Sequence, residues 1–314
     1  MTKNLISIII PTFNRAHLIG ETLDSILAQT YTNWECIIVD DGSSDDTAKI
    51  INKYIQKDGR FQYHHRPKER KKGANSCRNY GFELSKGEFI KWFDSDDVMH
   101  SKLLEQQIAS FGEAIDCSVC KVAYYDFEKS ITLKENTIYS NHLIEDYLIG
   151  RVTFYVSGPL WKKSFLNNQK ELFDESLSNL DDWDFNLRML YRKPVIKYIN
   201  TPLIQYRYHE NSLSQELAKL NFNEIQSEFA AREKHLQILT QNDLANTTVL
   251  RKFIKNRYNY FFRGAMLQNH TKKYYFLKKL LYTQFYLFDI YGILKTLTGF
   301  IFFSIFKKGY ILLK

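Results

Sequence analysis

The 314-residue chain has little cysteine: Cys36, Cys77, Cys117 and Cys120 are its only thiols. So few thiols in a chain of this length make no secreted disulfide framework, and a reducing, cytoplasmic compartment is expected. Cys117 and Cys120 form a C-x-x-C, but no second pair and no histidine pair accompanies it, so a buried strand over 116–126 is favoured over a metal or redox site. Long apolar runs are also missing. No uninterrupted run reaches the ~18–20 residues of a membrane-spanning helix. The first apolar run, Leu5–Ile10, is too short for a signal peptide and has no cleavage pattern. The chain also lacks a G-x-G-x-x-G after its first strand, where Pro11-Thr12-Phe13-Asn14 stands instead. That sets aside a dinucleotide-dependent oxidoreductase or epimerase on a similar sheet. Acidic residues are scarce near the end: residues 251–314 hold 13 Lys and Arg against a single acid, Asp289.

What is present is the composition of a folded protein, 44% hydrophobic and 25% charged, with aromatics at 15%. The net charge of +8 comes entirely from the tail, because the first 250 residues carry 30 basic against 34 acidic side chains. An anionic partner is therefore expected for the tail rather than for the whole chain.

Apolar runs and amphipathic periods alternate along the first 100 residues. Strands are predicted at Leu5–Ile10, Glu35–Val39, Phe61–His64 and Glu88–Phe93. Helices are predicted from Leu18 to Leu27, after Asp45 or Asp46, and from about Ser76 to Ser85. Such alternation makes an α/β fold with a doubly wound, largely parallel sheet. Further on, Phe154–Pro159, Val195–Ile199 and Leu203–Tyr208 read as extended and Asp182–Tyr191 as a helix. From about Ser214 everything reads as helical: Leu217–Leu239, Leu244–Gln268 and Lys272–Lys308.

Three polar segments directly follow strands: Pro11–Arg15, Asp40–Ser43 and Asp94–Asp97. In such sheets ligands bind at the carboxyl ends of strands, so the fold would gather these segments at one edge. Asp94-Ser95-Asp96-Asp97 crowds three carboxylates, which a divalent cation stabilises. Mg²⁺ or Mn²⁺ prefers such oxygen ligands and is commonly completed by substrate phosphates. Each segment alone could equally be a turn with a helix cap.

Together, however, the ordered run Ser7–Arg15, Val39–Thr47, Cys77-Arg78-Asn79-Tyr80-Gly81, Gly87–Asp97, Asp181–Asp184 and Tyr206-Arg207-Tyr208-His209 resembles the family 2 glycosyltransferases of GT-A fold, over about residues 5–210. The resemblance implies a Rossmann-like, mainly parallel sheet flanked by helices in residues 1–212. Residues 213–314 would form a helical, basic and aromatic region able to lie on an anionic membrane or to pack on the catalytic domain. It implies transfer, with inversion, of a sugar from a nucleotide diphosphate donor, UDP favoured, to a hydroxyl of a glycan or lipid-linked acceptor. Surface-polysaccharide assembly on the inner face of the plasma membrane is the implied setting.

Carried over residue by residue, the resemblance implies that Pro11, Phe13 and Asp41 hold the base and ribose, with Asp40 beside them and Arg78 supporting the pocket. Asp94 and Asp96 would be the D-x-D pair, Ser95 lying between them on the donor side. The divalent metal would sit on Asp96 with Asp97 nearby, and His209 would approach the metal and diphosphate, within a pattern completed by Ser212. Asp182 would be the general base. Cys77 and Asp181 stand where Ala and Glu are common in the family, and neither change removes a required group. No nucleic-acid-binding module is recognisable, so nucleic acid is not an expected partner. The non-enzymatic alternative is a nucleotide-sugar-binding scaffold that has lost catalysis.

Overall fold

The computed structural model describes residues 2–207 and 220–307. The chain divides into two compact units, 1–212 and 213–314.

The first unit opens with a βα alternation. β1 (Thr2–Thr12), β2 (Trp34–Asp40), β3 (Phe61–His65) and β4 (Gly87–Trp92) are joined by α1 (Ile19–Leu27), α2 (Thr47–Lys57) and α3 (Ala74–Leu84). All four strands run parallel, in the spatial order β3-β2-β1-β4. Their β-branched runs are apolar on both sides because both faces are covered. Ile6, Ile8 and Ile10 pack with Ile19, Leu23 and Ile26 of α1 and with Ile51 of α2. Ile37 and Val39 turn the other way, onto Cys77 of α3. All four cysteines are free and buried.

The remainder of the unit departs from the expected pattern. It comprises β5 (Val98–Met99), α4 (Leu103–Ala109), β6 (Cys117–Asp126), β7 (Ile131–Glu135), α5 (Leu143–Leu148), β8 (Pro159–Lys162), α6 (Lys163–Asn167), α7 (Asp181–Leu190) and β9 (Ile196–Arg207). The sheet continues β4-β8-β6-β9-β5, with β7 on β6. Here β8 runs antiparallel to β4 and β6, and β5 antiparallel to β9, so the sheet is mixed, with β3-β2-β1-β4 and the β6–β9 pair as its parallel parts. The two expected pieces 195–199 and 203–208 are one strand, β9, over its described length.

The expected strand over 154–159 is instead a turn. Gly158 N–H donates to Phe154 O at 3.2 Å, and Tyr155 has φ 52°. Its apolar letters suit burial, but its carbonyls are claimed by side chains rather than by a neighbouring strand. Lys91, 0% exposed, donates from Nζ to Ser157 O at 2.5 Å and Gln107 Oε1 at 2.9 Å. Gln107 Nε2 donates to Gly158 O at 2.8 Å, and Asn186 Nδ2 to Tyr155 O at 3.1 Å. Burial pushes the Lys91 ammonium down to about 8. A left-handed aromatic residue costs on the order of 1–3 kcal/mol, and this buried polar clamp is what holds it.

The second unit is helical: α8 (Phe222–Asn242), α9 (Thr247–Leu267), α10 (Lys273–Tyr286) and α11 (Ile290–Phe306). The single long helix expected over 272–308 is broken at 287–289. Phe288 there has φ 55°, and Asp289 caps α11 by accepting from Gly292 N–H at 2.9 Å. Glu228, 1% exposed, is held by Arg232 at 3.0 Å and Arg257 at 2.6 Å. Among the described residues, no helix is long and apolar enough to cross a membrane.

A Cβ on Gly158 would come within 2.2 Å of Phe154 O, a backbone atom with little room to yield. Gly158→Ala is expected to cost ~1–3 kcal/mol in urea unfolding, as overpacking does. A change below ~0.5 kcal/mol would show that the turn relaxes freely.

Candidate functional site

The parallel register brings the carboxyl ends of β2, β1 and β4 side by side. Thr12 stands opposite Asp40, and Phe93 N–H donates to Ile9 O at 3.0 Å. The polar segments that follow are then tied to one another. Asn14, at φ 51°, receives Ser44 N–H on its Oδ1 at 2.8 Å and donates its own N–H to Ser43 Oγ at 2.9 Å. Arg15 Nε lies 3.5 Å from Asp96 Oδ2, joining the loop after β1 to the acidic cluster after β4.

The residues expected on the donor side divide into those that shape this edge and those that remain open. Pro11 is buried and Phe13 is 40% exposed, with Lys72 Nζ 4.3 Å from its ring centroid. Asp40 is spent internally. Its Oδ1 accepts from the N–H groups of Gly42 at 3.0 Å and Ser43 at 2.8 Å, and its Oδ2 accepts from the Tyr63 hydroxyl. It therefore builds the loop, with both of its oxygens engaged there. Asp41 is ion-paired with Arg66, whose Nε reaches its Oδ1 at 2.5 Å. Arg66 also donates to Pro67 O and Arg70 O, which folds the basic 66–72 loop back onto the site.

Arg78 connects the two halves. It is 6% exposed and donates to Asp94 Oδ1 at 3.0 Å and to Asp181 Oδ2 at 2.6 Å, with Asn75 Oδ1 at 2.9 Å beside them. Asp181 opens α7, which an aromatic cluster anchors: Phe185 lies 5.0 Å from Trp92 of β4 and 4.5 Å from Phe173. Asp182 follows. Burial, with the neighbouring Asp181 and Asp94 carboxylates, pushes its carboxyl up to about 7, against the opposing pull of Arg78. Asp184, fully buried, is paired to Arg188 at 2.8 Å and serves packing.

Within the acidic cluster, Asp94 keeps 30% and Asp96 19% of its side chain exposed, whereas Ser95 and Asp97 are buried. Burial raises the Asp94 carboxyl, and Asp96 adds to the rise. Asp97 is raised much further by burial and by both neighbours. Its Oδ1 accepts from Arg207 N–H at 3.1 Å, while its Oδ2 is buried without a partner among the described residues. A cluster of carboxylates that raise one another and leave a buried oxygen orphaned fits a hard divalent cation. Among the described residues no group of three His, Cys, Asp or Glu side chains is placed to hold a metal ion. His209 and Ser212 lie outside the described residues.

Sequence reasoning left several participants unassigned. Arg207, inside a quoted motif but given no role, braces Asp97 through its N–H and Asp96 through a 2.9 Å bond from Nε to the carbonyl. Arg66 sat in what reads as a solvated basic loop. Tyr124, Tyr155 and Tyr206 sat in apolar strand letters, where an aromatic is usually core.

The model for "Glycosyl transferase family 2" matches residues 7–170 of the chain. Glycosyltransferase GlyG of Streptococcus pneumoniae serotype 4 is 30% identical over 228 residues, 67% of this chain and 73% of that protein. Among solved structures, S. aureus TarS in complex with UDP-GlcNAc superposes with a TM-score of 0.59 at 16% identity, over 94% of this chain and 91% of that one. A longer TarS structure is spanned to only 47%. The mannosyltransferase PcManGT from Pyrobaculum calidifontis, in complex with GDP-Man and Mn²⁺, gives 0.56 at 15% identity over 98% and 88% of the two chains. These structural likenesses speak for the fold, and the mixed sheet with flanking helices is of the GT-A kind. By its sequence match over more than half its length, the chain belongs to glycosyl transferase family 2.

Proposed function

We propose that the protein is an inverting, metal-dependent glycosyltransferase that moves a sugar from a nucleotide diphosphate donor to a hydroxyl of a glycan or lipid-linked acceptor. The observation that carries this reading is the Asp94–Arg78–Asp181 bridge, which sets the D-x-D cluster beside the helix start bearing Asp182. In this reading Pro11, Phe13 and Asp41 take the nucleotide, with UDP favoured because TarS is solved with UDP-GlcNAc. Asp96 and Asp97 hold the divalent cation, with His209 expected nearby, and Asp94 completes the D-x-D pair on the donor side. The cation, when bound, neutralises charge on the departing diphosphate. Arg15 and Arg78 add fixed positive charge at the same edge. Asp182 takes the proton from the acceptor hydroxyl, and attack from the face opposite the leaving group inverts the anomeric centre. A carboxyl whose pKa is raised to about 7 is a stronger base than an ordinary aspartate and is still ionised near neutrality.

A panel of nucleotide sugars, screened by protection against thermal unfolding, identifies the donor. With that donor, Asp182→Asn should keep donor affinity and lower transfer at least ~10²-fold. Wild-type kcat/KM should fall as pH drops through about 7. The same shift has a stability consequence. Between 3.8 and about 7 the folded state holds the Asp182 proton that the unfolded state has released, so its contribution to stability declines as pH rises across that window. Asp182→Asn should remove that decline and melt no lower than wild type at pH 8. A folded variant with near-normal transfer would move the base elsewhere.

Metal dependence has its own test. Chelation should abolish turnover, Mn²⁺ or Mg²⁺ should restore it, and Asp96→Asn should bind donor weakly even at high metal. Full activity in excess chelator overturns this part of the reading.

The second unit is read as binding an anionic membrane surface, placing the enzyme on the inner face of the plasma membrane. Exposed apolar side chains support this: Phe288 is 87% exposed, Tyr291 77%, Ile290 69% and Leu294 61%. They stand in the segment whose charge is 13 basic to one acidic. Flotation with phosphatidylglycerol vesicles is expected at low salt, with partial release at high salt. Tyr291→Glu with Leu294→Glu should weaken it and leave donor binding intact. No flotation, or flotation unaffected by these changes, would make the apolar face a packing or self-association surface.

A further inference from the structure

The turn at residues 154–158 uses more buried polar chemistry than a connection between α5 and β8 requires. Lys91 from β4, Gln107 from α4 and Asn186 from α7 all bond its carbonyls, and what they hold in place is Tyr155 in the left-handed region. Strained backbone fixed from three directions is characteristic of functional sites. A side chain that only needed burial would have been served by the strand the sequence pattern suggests.

The ring that this turn presents joins two others. Tyr155 stacks on Tyr206 of β9 with centroids 5.7 Å apart and planes at 27°. Tyr124 of β6, directly opposite Tyr206 in the parallel register, lies 5.8 Å from Tyr155 and 5.2 Å from Tyr206. All three are partly exposed, and none of their hydroxyls has a hydrogen-bond partner among the described residues. The group adjoins the acidic cluster after β4, since Arg207, next to Tyr206, donates its N–H to Asp97 Oδ1 at 3.1 Å. Burial and then Asp182 push the Tyr124 phenol up to about 12, and burial with Asp97, Asp94 and Asp96 raises Tyr206.

We propose that Tyr124, Tyr155 and Tyr206 form a subsite for a pyranose ring of the acceptor, with Tyr155 as its main positioning residue. Aromatic rings suit the apolar C–H faces of a sugar, and the open phenol hydroxyls suit its hydroxyl groups. A ring seated there lies between the donor-side carboxylates and Asp182. The inference rests on the reading of Asp182 as the acceptor-side base. The alternative is a cap on the core, since Tyr155 and Tyr206 also pack against it.

Tyr155→Phe and Tyr206→Phe separate the two, because each keeps the packed ring and removes only a hydroxyl that has no partner among the described residues. The probes are para-nitrophenyl glycosides of glucose, galactose, mannose and the two common N-acetylhexosamines. With the donor identified, each Phe variant should raise the acceptor KM by ~5-fold or more, the scale of one neutral hydrogen bond. Donor KM, melting temperature and kcat should stay near wild type, and Tyr155→Ala should raise acceptor KM further. Saturation-transfer NMR of the same glycosides reads binding without turnover. The signal should be strong with wild type and with Asp182→Asn, and reduced in both Tyr→Phe variants. Retained binding to Asp182→Asn alongside normal transfer by that variant would remove the base and leave the subsite standing. Unchanged KM and unchanged NMR signal in both Phe variants, or no glycoside signal with wild type, overturns the subsite.

Discussion

The arrangement of the site depends on one buried cation. Arg78 is almost fully withdrawn from water, and a guanidinium in that position is costly unless it is paired and hydrogen-bonded. Asp94, Asp181 and Asn75 supply the pairing, from the end of β4, from the start of α7 and from one turn earlier in α3. The planar fork of Arg can face two carboxylates at fixed angles, which a lysine ammonium cannot. Two sequence segments almost 90 residues apart are thereby locked to one another. Asp182, next to Asp181, inherits its position from that lock, while burial and the Asp181 carboxylate raise its pKa against the pull of Arg78.

Around this bridge the charges are arranged so that each buried group has a stated purpose. Asp40 saturates the N–H groups of its own loop, Arg66 neutralises Asp41, and Arg207 braces the cluster after β4. What remains is a surplus of carboxylate: Arg78 pairs with Asp94 and Arg15 with Asp96, but the Asp97 Oδ2 has no partner among the described residues. In the proposed reading that surplus is the provision for a divalent cation brought together with a diphosphate. A second buried network, built on Lys91, holds the turn that carries Tyr155, the acceptor side in the proposed reading. Both networks use the interior of the sheet, where a low dielectric makes an unpaired group expensive and a satisfied one rigid.

The second unit follows a different logic. Its interior ion pairs, Glu228 with Arg232 and Arg257, are satisfied. Its last helix exposes an apolar surface in a basic segment, which water alone does not stabilise. In the proposed reading a lipid surface supplies both the apolar layer and the negative charge.

The sequence by itself determined the parallel half of the sheet, because a strand covered on both faces must be largely apolar, as Leu5–Ile10 and Glu35–Val39 are apart from Ser7 and Glu35, which bond each other. It also determined which polar segments meet, since parallel strands deliver their carboxyl ends to one edge. Tertiary structure decided the rest. Whether Asp40 faces a ligand or its own loop depends on bonds to Gly42, Ser43 and Tyr63 that no local pattern encodes. That 154–158 is a turn rather than a strand depends on Lys91, Gln107 and Asn186, three polar residues that read as ordinary surface letters until burial turns them inward. Hydrophobic periodicity records which side chains leave water. It carries no record of which distant donor will claim a given carbonyl or carboxylate, and at this site those claims set the chemistry.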